Sequence, residues 1–205
     1  MNSGFRRILF AAALGTICSA SAARAQFAVY GTVGAERLRA VSCTDPKNVC
    51  ASNDGVVRPY GGSFGMYYDF RNYGPVRLGA DLRATFLNSN KSAYAYQGGV
   101  DVIRHYALLG GARATFKTPF KVLRPYIQAS AGWGRTDATN APVAPTYALN
   151  YQNFTQVQGF AGLDLAVFQN VDFRVIEFGA GEMFGPSSHS IQTIGLGIVF
   201  HTTRE

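Results

Sequence analysis

The chain has 205 residues, of which 47% are hydrophobic and 15% charged, with 23 glycines and a formal net charge of +7. This length fits one domain, and basic residues scattered without Lys/Arg blocks exclude a nucleic-acid surface. Paired carboxylates, glycine-rich phosphate loops and metal-ligand spacings are missing from the sequence, so no cofactor or metal is expected.

Residues 1–25 read as a cleaved signal peptide. Arg6 and Arg7 precede an apolar run from Ile8 to Ile17, and Ala23-Arg24-Ala25 supplies a small-x-small cleavage pattern before Gln26. The run is too short for a spanning helix, which needs about 20 residues. Cys18 follows Ile17, where a lipidation signal needs Gly or Ala, so a lipid anchor is not expected. Losing Arg6, Arg7 and Arg24 reduces the 19 basic residues to 16 against 12 acidic ones. The basic residues left in 26–205 are mostly arginines at strand positions, suited to bidentate pairing with carboxylates. Arg and Lys near a rim could alternatively meet phosphates of surface lipid.

After the leader, period-two segments follow one another. The first, about Phe27 to Leu38, sets Phe27, Val29, Val33 and Ala35 against Tyr30, Thr32 and Glu36. A long connection from Arg39 to Arg58 carries Cys43 and Cys50, which in an exported chain read as a disulfide. A metal site is the alternative, though two thiols without nearby histidine are a poor ligand set. The second segment, Tyr60 to Phe70, points Phe64, Met66, Tyr68 and Phe70 one way and Ser63, Tyr67 and Asp69 the other. Asn72-Tyr73-Gly74-Pro75 is a tight turn.

The third segment is the clearest. Val76, Leu78, Ala80, Leu82, Ala84 and Phe86 alternate without a slip with Arg77, Gly79, Asp81, Arg83 and Thr85. Its length matches the roughly 9–11 residues that cross a bilayer as a tilted strand. Beyond Asn88 the pattern fades through Gln97-Gly98-Gly99. The fourth segment, His105 to Lys117, opposes Leu108, Ala112, Ala114 and Phe116 to Arg113 and Thr115, and Pro119 to Arg124 makes a turn. The fifth, Pro125 to Asp137, opposes Ile127, Ala129, Ala131 and Trp133 to Gln128 and Ser130. Pro142 and Pro145 mark the next long connection, Asn140 to Gln152.

The sixth segment, Phe154 to Phe168, sets Val157, Ala161, Leu163, Leu165 and Val167 against Gln156, Gln158 and Asp164, and Gln169-Asn170 is a short turn. In the seventh, Val171 to about Met183, strict alternation after Asp172 and Arg174 would send Glu177 into lipid. A carboxylate there is costly, so a bulge near Val175-Ile176 is expected to return it to the interior. The last segment, Ser190 to His201, sets Ile194, Leu196, Ile198 and Phe200 against Thr193, Gly195 and Gly197.

About eight strands, long connections after the first, third and fifth, and short turns after the second, fourth and sixth predict an all-β, eight-stranded antiparallel up-and-down transmembrane barrel. The pattern resembles the OmpA/OmpX-like small outer-membrane β-barrel proteins over about Gln26 to His201. Members of that superfamily end in an amphipathic strand with a terminal aromatic, which the barrel assembly machinery recognises. Ile194, Leu196, Ile198 and Phe200 match that spacing, although His201-Thr202-Thr203-Arg204-Glu205 follows where the usual pattern stops. The resemblance implies location in the cell outer membrane, with membrane lipid and the assembly machinery as partners.

Some eight-stranded barrels modify lipid, which makes Ser188-His189-Ser190 the sequence to weigh. A nucleophile and base two apart on one strand share a face, whereas His189 and Ser190 are adjacent and would face apart. His105 and His201 lack a serine at the matching offset, so no enzyme is expected. Arg77, Asp81, Arg83, Arg113, Asp164, Arg174 and Glu177 are expected as a self-paired charge network in the lumen, because an eight-stranded barrel is wide enough only for its own side chains. A small-solute, porin-like channel is the alternative. A soluble barrel with an apolar lumen would reverse the two faces. The expected role is structural or surface-interacting, with an extracellular partner met by the long connections.

Overall fold

The computed structural model describes residues 26–39, 56–89, 103–120, 122–136, 152–185 and 188–202. The leader at 1–25 and the Cys43–Cys50 pair lie outside these, as does most of the three long connections. Eight long strands form the wall: β1 Gln26–Arg39, β2 Tyr60–Tyr73, β3 Val76–Ser89, β4 Ile103–Phe116, β5 Leu123–Thr136, β6 Gln152–Phe168, β7 Val171–Phe184 and β8 His189–His201. A two-residue bridge, Val56–Val57, pairs with Leu38 and Arg39.

Each long strand pairs antiparallel with its chain neighbour, and β1 also pairs with β8 from Ala28↔His201 to Leu38↔Ile191. The sheet therefore closes on itself. Closure leaves no strand edge, so backbone donors and acceptors can be satisfied without water, as a bilayer requires.

Alternation dictates which side chains face where. Phe64, Phe86, Leu108, Ile127, Trp133, Val157, Phe178, Ile194, Leu196 and Phe200 are all exposed, each 45% or more. Arg83, Arg113, Gln128, Gln156, Asp164 and Arg174 on the opposite face are each 4% exposed or less. A belt of exposed large apolar groups around the whole wall is untenable in water but natural in lipid. The polarity is the reverse of a soluble ligand-carrying barrel.

Two-residue turns, Gly74-Pro75 and Gln169-Asn170, join β2 to β3 and β6 to β7 at one end. Gly74 takes a φ of 55°, a left-handed conformation that glycine adopts without steric cost. Residues 117–122 join β4 to β5 at the same end. Lys117 N donates to Pro75 O at 2.7 Å and His201 N to Asn170 O at 2.9 Å, tying the short turns to their neighbours.

The bulge expected in β7 is present. Asp164 pairs with Arg174 and Leu163 with Ile176, and the β7–β8 register shifts between Arg174 and Glu177. Glu177 is 4% exposed, on the lumen side with Arg174. A second bulge departs from simple alternation: β2 runs three residues past Phe70, with a register shift between Asp69 and Arg71. The extra residue lets Asp69 stay buried while Phe70 and Arg71 are both exposed, and Arg71 lies 4.9 Å from the Tyr73 ring centre.

Candidate functional site

The lumen holds the chemistry of this chain. Because successive inward positions along a strand are two residues apart, seven of the strands deliver one or two long polar side chains to the middle level. Arg83 comes from β3, Arg113 from β4, Tyr126 and Gln128 from β5, Asp164 from β6, and Arg174 and Glu177 from β7. β1 and β2 add Tyr30 and Tyr67.

Arg83 meets Glu177 bidentately, Nη1 to Oε1 and Nη2 to Oε2, both at 2.7 Å. Arg174 grips Asp164 with Nε and Nη2 at 2.8 and 3.2 Å and reaches Glu177 with Nη1 at 3.0 Å. Arg113 Nη2 donates to Asp164 at 3.0 Å. Tyr126 Oη donates to Glu177. Paired fork geometry gives directional, charge-assisted bonds, which a buried guanidinium needs to offset its lost hydration.

Aromatic rings supply the remaining contacts. The Arg113 guanidinium lies between the rings of Tyr126 and Tyr67, at 3.7 and 4.1 Å from their centres. Arg83 lies 3.9 Å from the centre of Phe160, and Arg174 is 4.6 Å from both Tyr30 and Tyr126. A desolvated cation over a ring face gains from the ring quadrupole. Glycine makes room for one ring: a Cβ at Gly162 would lie 2.5 Å from Tyr126 Oη.

Of the seven charges expected in the lumen network, five join directly in this plug. Asp81 differs. It is buried, and its carboxylate accepts from neutral donors, Tyr30 Oη at 3.0 Å and Gln128 Nε2 at 2.6 Å, with Arg83 Nε donating to the same Tyr30 oxygen. Arg77 lies nearer the short-turn end, where Nη1 donates to Gln26 Oε1 at 2.5 Å. Beside the central forks, Asp81 is thus held by phenol and amide donors, and the Gln26 amide is one of the contacts of Arg77.

Two further groups were not singled out from the sequence. On the long-connection side, Glu36 flanks the Nδ1 of fully buried His105 at 2.9 and 3.0 Å, and Gln156 Oε1 meets the other ring nitrogen at 3.1 Å. On the short-turn side, Asp172 accepts from Arg124 at 2.9 Å and contacts His201 Nε2 at 2.8 Å. His105 shares parity with Arg113, and His201 with Val199, so their inward direction was readable. Their partners were not.

Cavities flank the plug, about 280 Å³ on the short-turn side and about 30 Å³ toward the long connections. In the Ser188-His189-Ser190 stretch, His189 is buried and Ser190 exposed. His189 packs its ring edge on Phe154, and its Nδ1 is 3.2 Å from Arg39 O. Ile194, Leu196, Ile198 and Phe200 form an exposed outward row on β8.

No protein-family model matches the sequence, and no curated protein matches it. Solved structures do match the fold. The attachment invasion locus protein Ail of Yersinia pestis superposes with a TM-score of 0.51 at 12% identity, covering 86% of this chain and 97% of that one. Neisserial surface protein A superposes with a TM-score of 0.52 at 15% identity, covering 86% and 98%. The chain has the fold of the small outer-membrane eight-stranded barrels, and its apolar outer belt suits that membrane.

Proposed function

We propose that this chain is a non-enzymatic outer-membrane barrel that holds its long connections at the cell surface for contact with an external partner. The observation carrying the reading is the plug: cross-barrel forks and stacked rings occupy the midsection, with Arg83, Arg113 and Arg174 paired to Asp164 and Glu177. A scaffold filled in this way is rigid, and variable function then falls to the connections it displays. The connections after β1, β3 and β5 all leave from one end and are much longer than the turns at the other. Membrane lipid surrounds the outer belt, and the β8 row with Phe200 offers the assembly machinery its terminal strand.

A small-solute channel is the competing reading, and conductance decides between them. Protein inserted in planar bilayers should give no discrete conductance steps, and reproducible steps would overturn the plugged-scaffold reading. Catalysis on lipid is tested separately. Among the described residues, His105 is fully buried between Glu36 and Gln156, and buried His189 and exposed Ser190 stand on opposite faces of β8, which supports the non-enzymatic reading. Lipid A from cells overproducing the protein should keep its full set of acyl chains by mass spectrometry; loss or gain of a chain would make the protein an enzyme.

A further inference from the structure

The cavity on the short-turn side is lined by Arg77, Arg113, Lys117 and Arg124, against Asp69 and Asp164. Arg113 is 2% exposed, and Asp164 and Thr115 take its Nη2 and Nε, yet its Nη1 has no hydrogen-bond partner. Two acceptors on the same cavity are also unmatched: Asp69 Oδ1, in a residue 6% exposed, and His201 Nδ1, also in a residue 6% exposed. His201 presents Nε2 to Asp172, which leaves Nδ1 as the acceptor in the neutral ring. Buried polar atoms without partners are uncommon, and each calls for an occupant.

The occupant must satisfy both kinds of orphan. Clustered guanidinium and ammonium groups call for an oxyanion, while Asp69 and His201 call for a hydrogen-bond donor on that anion. We infer that this cavity binds a small oxyanion that still carries a proton, of the phosphate class, with Arg113 and the neighbouring cations holding its oxygens and Asp69 accepting its hydroxyl. A fully ionised anion of the same size, such as sulfate, has no proton to give and would set its charge against the Asp69 carboxylate. Selectivity therefore follows from one buried acceptor, just as an unpaired polar group in a fitted site rejects the analogue that cannot bond to it. The inference is independent of what the long connections contact.

The test uses protein extracted from outer membranes in a phosphate-free glycoside detergent and titrated calorimetrically with inorganic phosphate and with sulfate. Phosphate should bind saturably and about 10- to 100-fold more tightly than sulfate, the worth of one buried unpaired acceptor. Asp69→Asn should let sulfate approach phosphate in affinity, since an amide tolerates an unprotonated anion. Arg77→Gln with Lys117→Gln should weaken phosphate about tenfold or more. Heat-modifiable gel mobility reports whether each variant is folded. If Asp69→Asn does not fold, the comparison of the two anions on the unaltered protein still decides. Absence of saturable phosphate binding, or equal binding of both anions, would overturn the inference.

Discussion

Replacing Leu82 by arginine should destabilise the folded barrel by about 2–4 kcal/mol in lipid vesicles, the cost of a cation on the lipid face near the bilayer midplane. Leu82 lies at the middle of β3, 45% exposed on the outer wall between the inward Asp81 and Arg83. An arginine there must drag its charge through hydrocarbon toward a distant interface. Asn88→Arg, further along the same strand and also exposed, should cost about 0–1 kcal/mol because its charge reaches water directly. Urea unfolding followed by the fluorescence of Trp133, the single tryptophan, measures both. Equal, negligible costs at the two positions would mean that Leu82 meets water, and the membrane assignment would fall.

The second large effect lies inside. Glu177→Leu should cost about 3–5 kcal/mol, because it strips Arg83 of both fork bonds and Arg174 of one, leaving a buried guanidinium uncompensated. The fork itself is a weaker stabiliser than that number suggests, since forming it required two groups to lose their water. Removing both charges with Arg83→Leu and Glu177→Leu should therefore recover most of the loss. The same unfolding assay applies. A double variant no more stable than the single would show that packing around Glu177, and not its charge, carries the effect.

Such a plug explains why the barrel can be both polar inside and closed. Three arginines, Arg83, Arg113 and Arg174, face three carboxylates, Asp81, Asp164 and Glu177, at the middle level, so the charges there balance. Tyrosine rings from β1, β2 and β5 fill the spaces between the guanidinium planes, which aliphatic side chains could not do without leaving the cations poorly solvated. Rigid filling of this kind suits a scaffold. It also separates the two ends of the lumen chemically: Glu36, His105 and Gln156 on one side, Arg124, Asp172 and His201 on the other.

Much of this was legible in the chain. Val76 to Phe86 alternates without error because one side of a membrane strand must dissolve in lipid and the other must not, a constraint that acts residue by residue. The β7 bulge was legible for the same reason, since Glu177 cannot face hydrocarbon. The β2 bulge was not, because Phe70 and Arg71 lie at the end of the strand, where exposure costs either residue little and alternation weakens as evidence. Membership of the lumen was also readable for Arg83, Arg113, Asp164 and Arg174 by parity alone, and for Glu177 by parity corrected for the bulge.

What parity cannot give is the partner. Arg83 and Glu177 are 94 positions apart, and Tyr126 and Glu177 are 51 apart. Alternation fixes the side of the wall on which a residue stands, whereas its height and its neighbour across the lumen depend on register, bulges and closure of β1 onto β8. Asp81 shows the difference: the sequence makes it inward and charged, and only the closed barrel brings it to Tyr30 and Gln128 in place of an arginine. The sequence by itself thus determined the strand sequence, the lipid-facing surface and the polar lumen, because each rests on the solvent met by individual side chains. The tertiary structure decided the forks, the stacked rings and the cavity with its unmatched Arg113 and Asp69 atoms, because those arise where strands far apart in the chain meet across a lumen a few side chains wide.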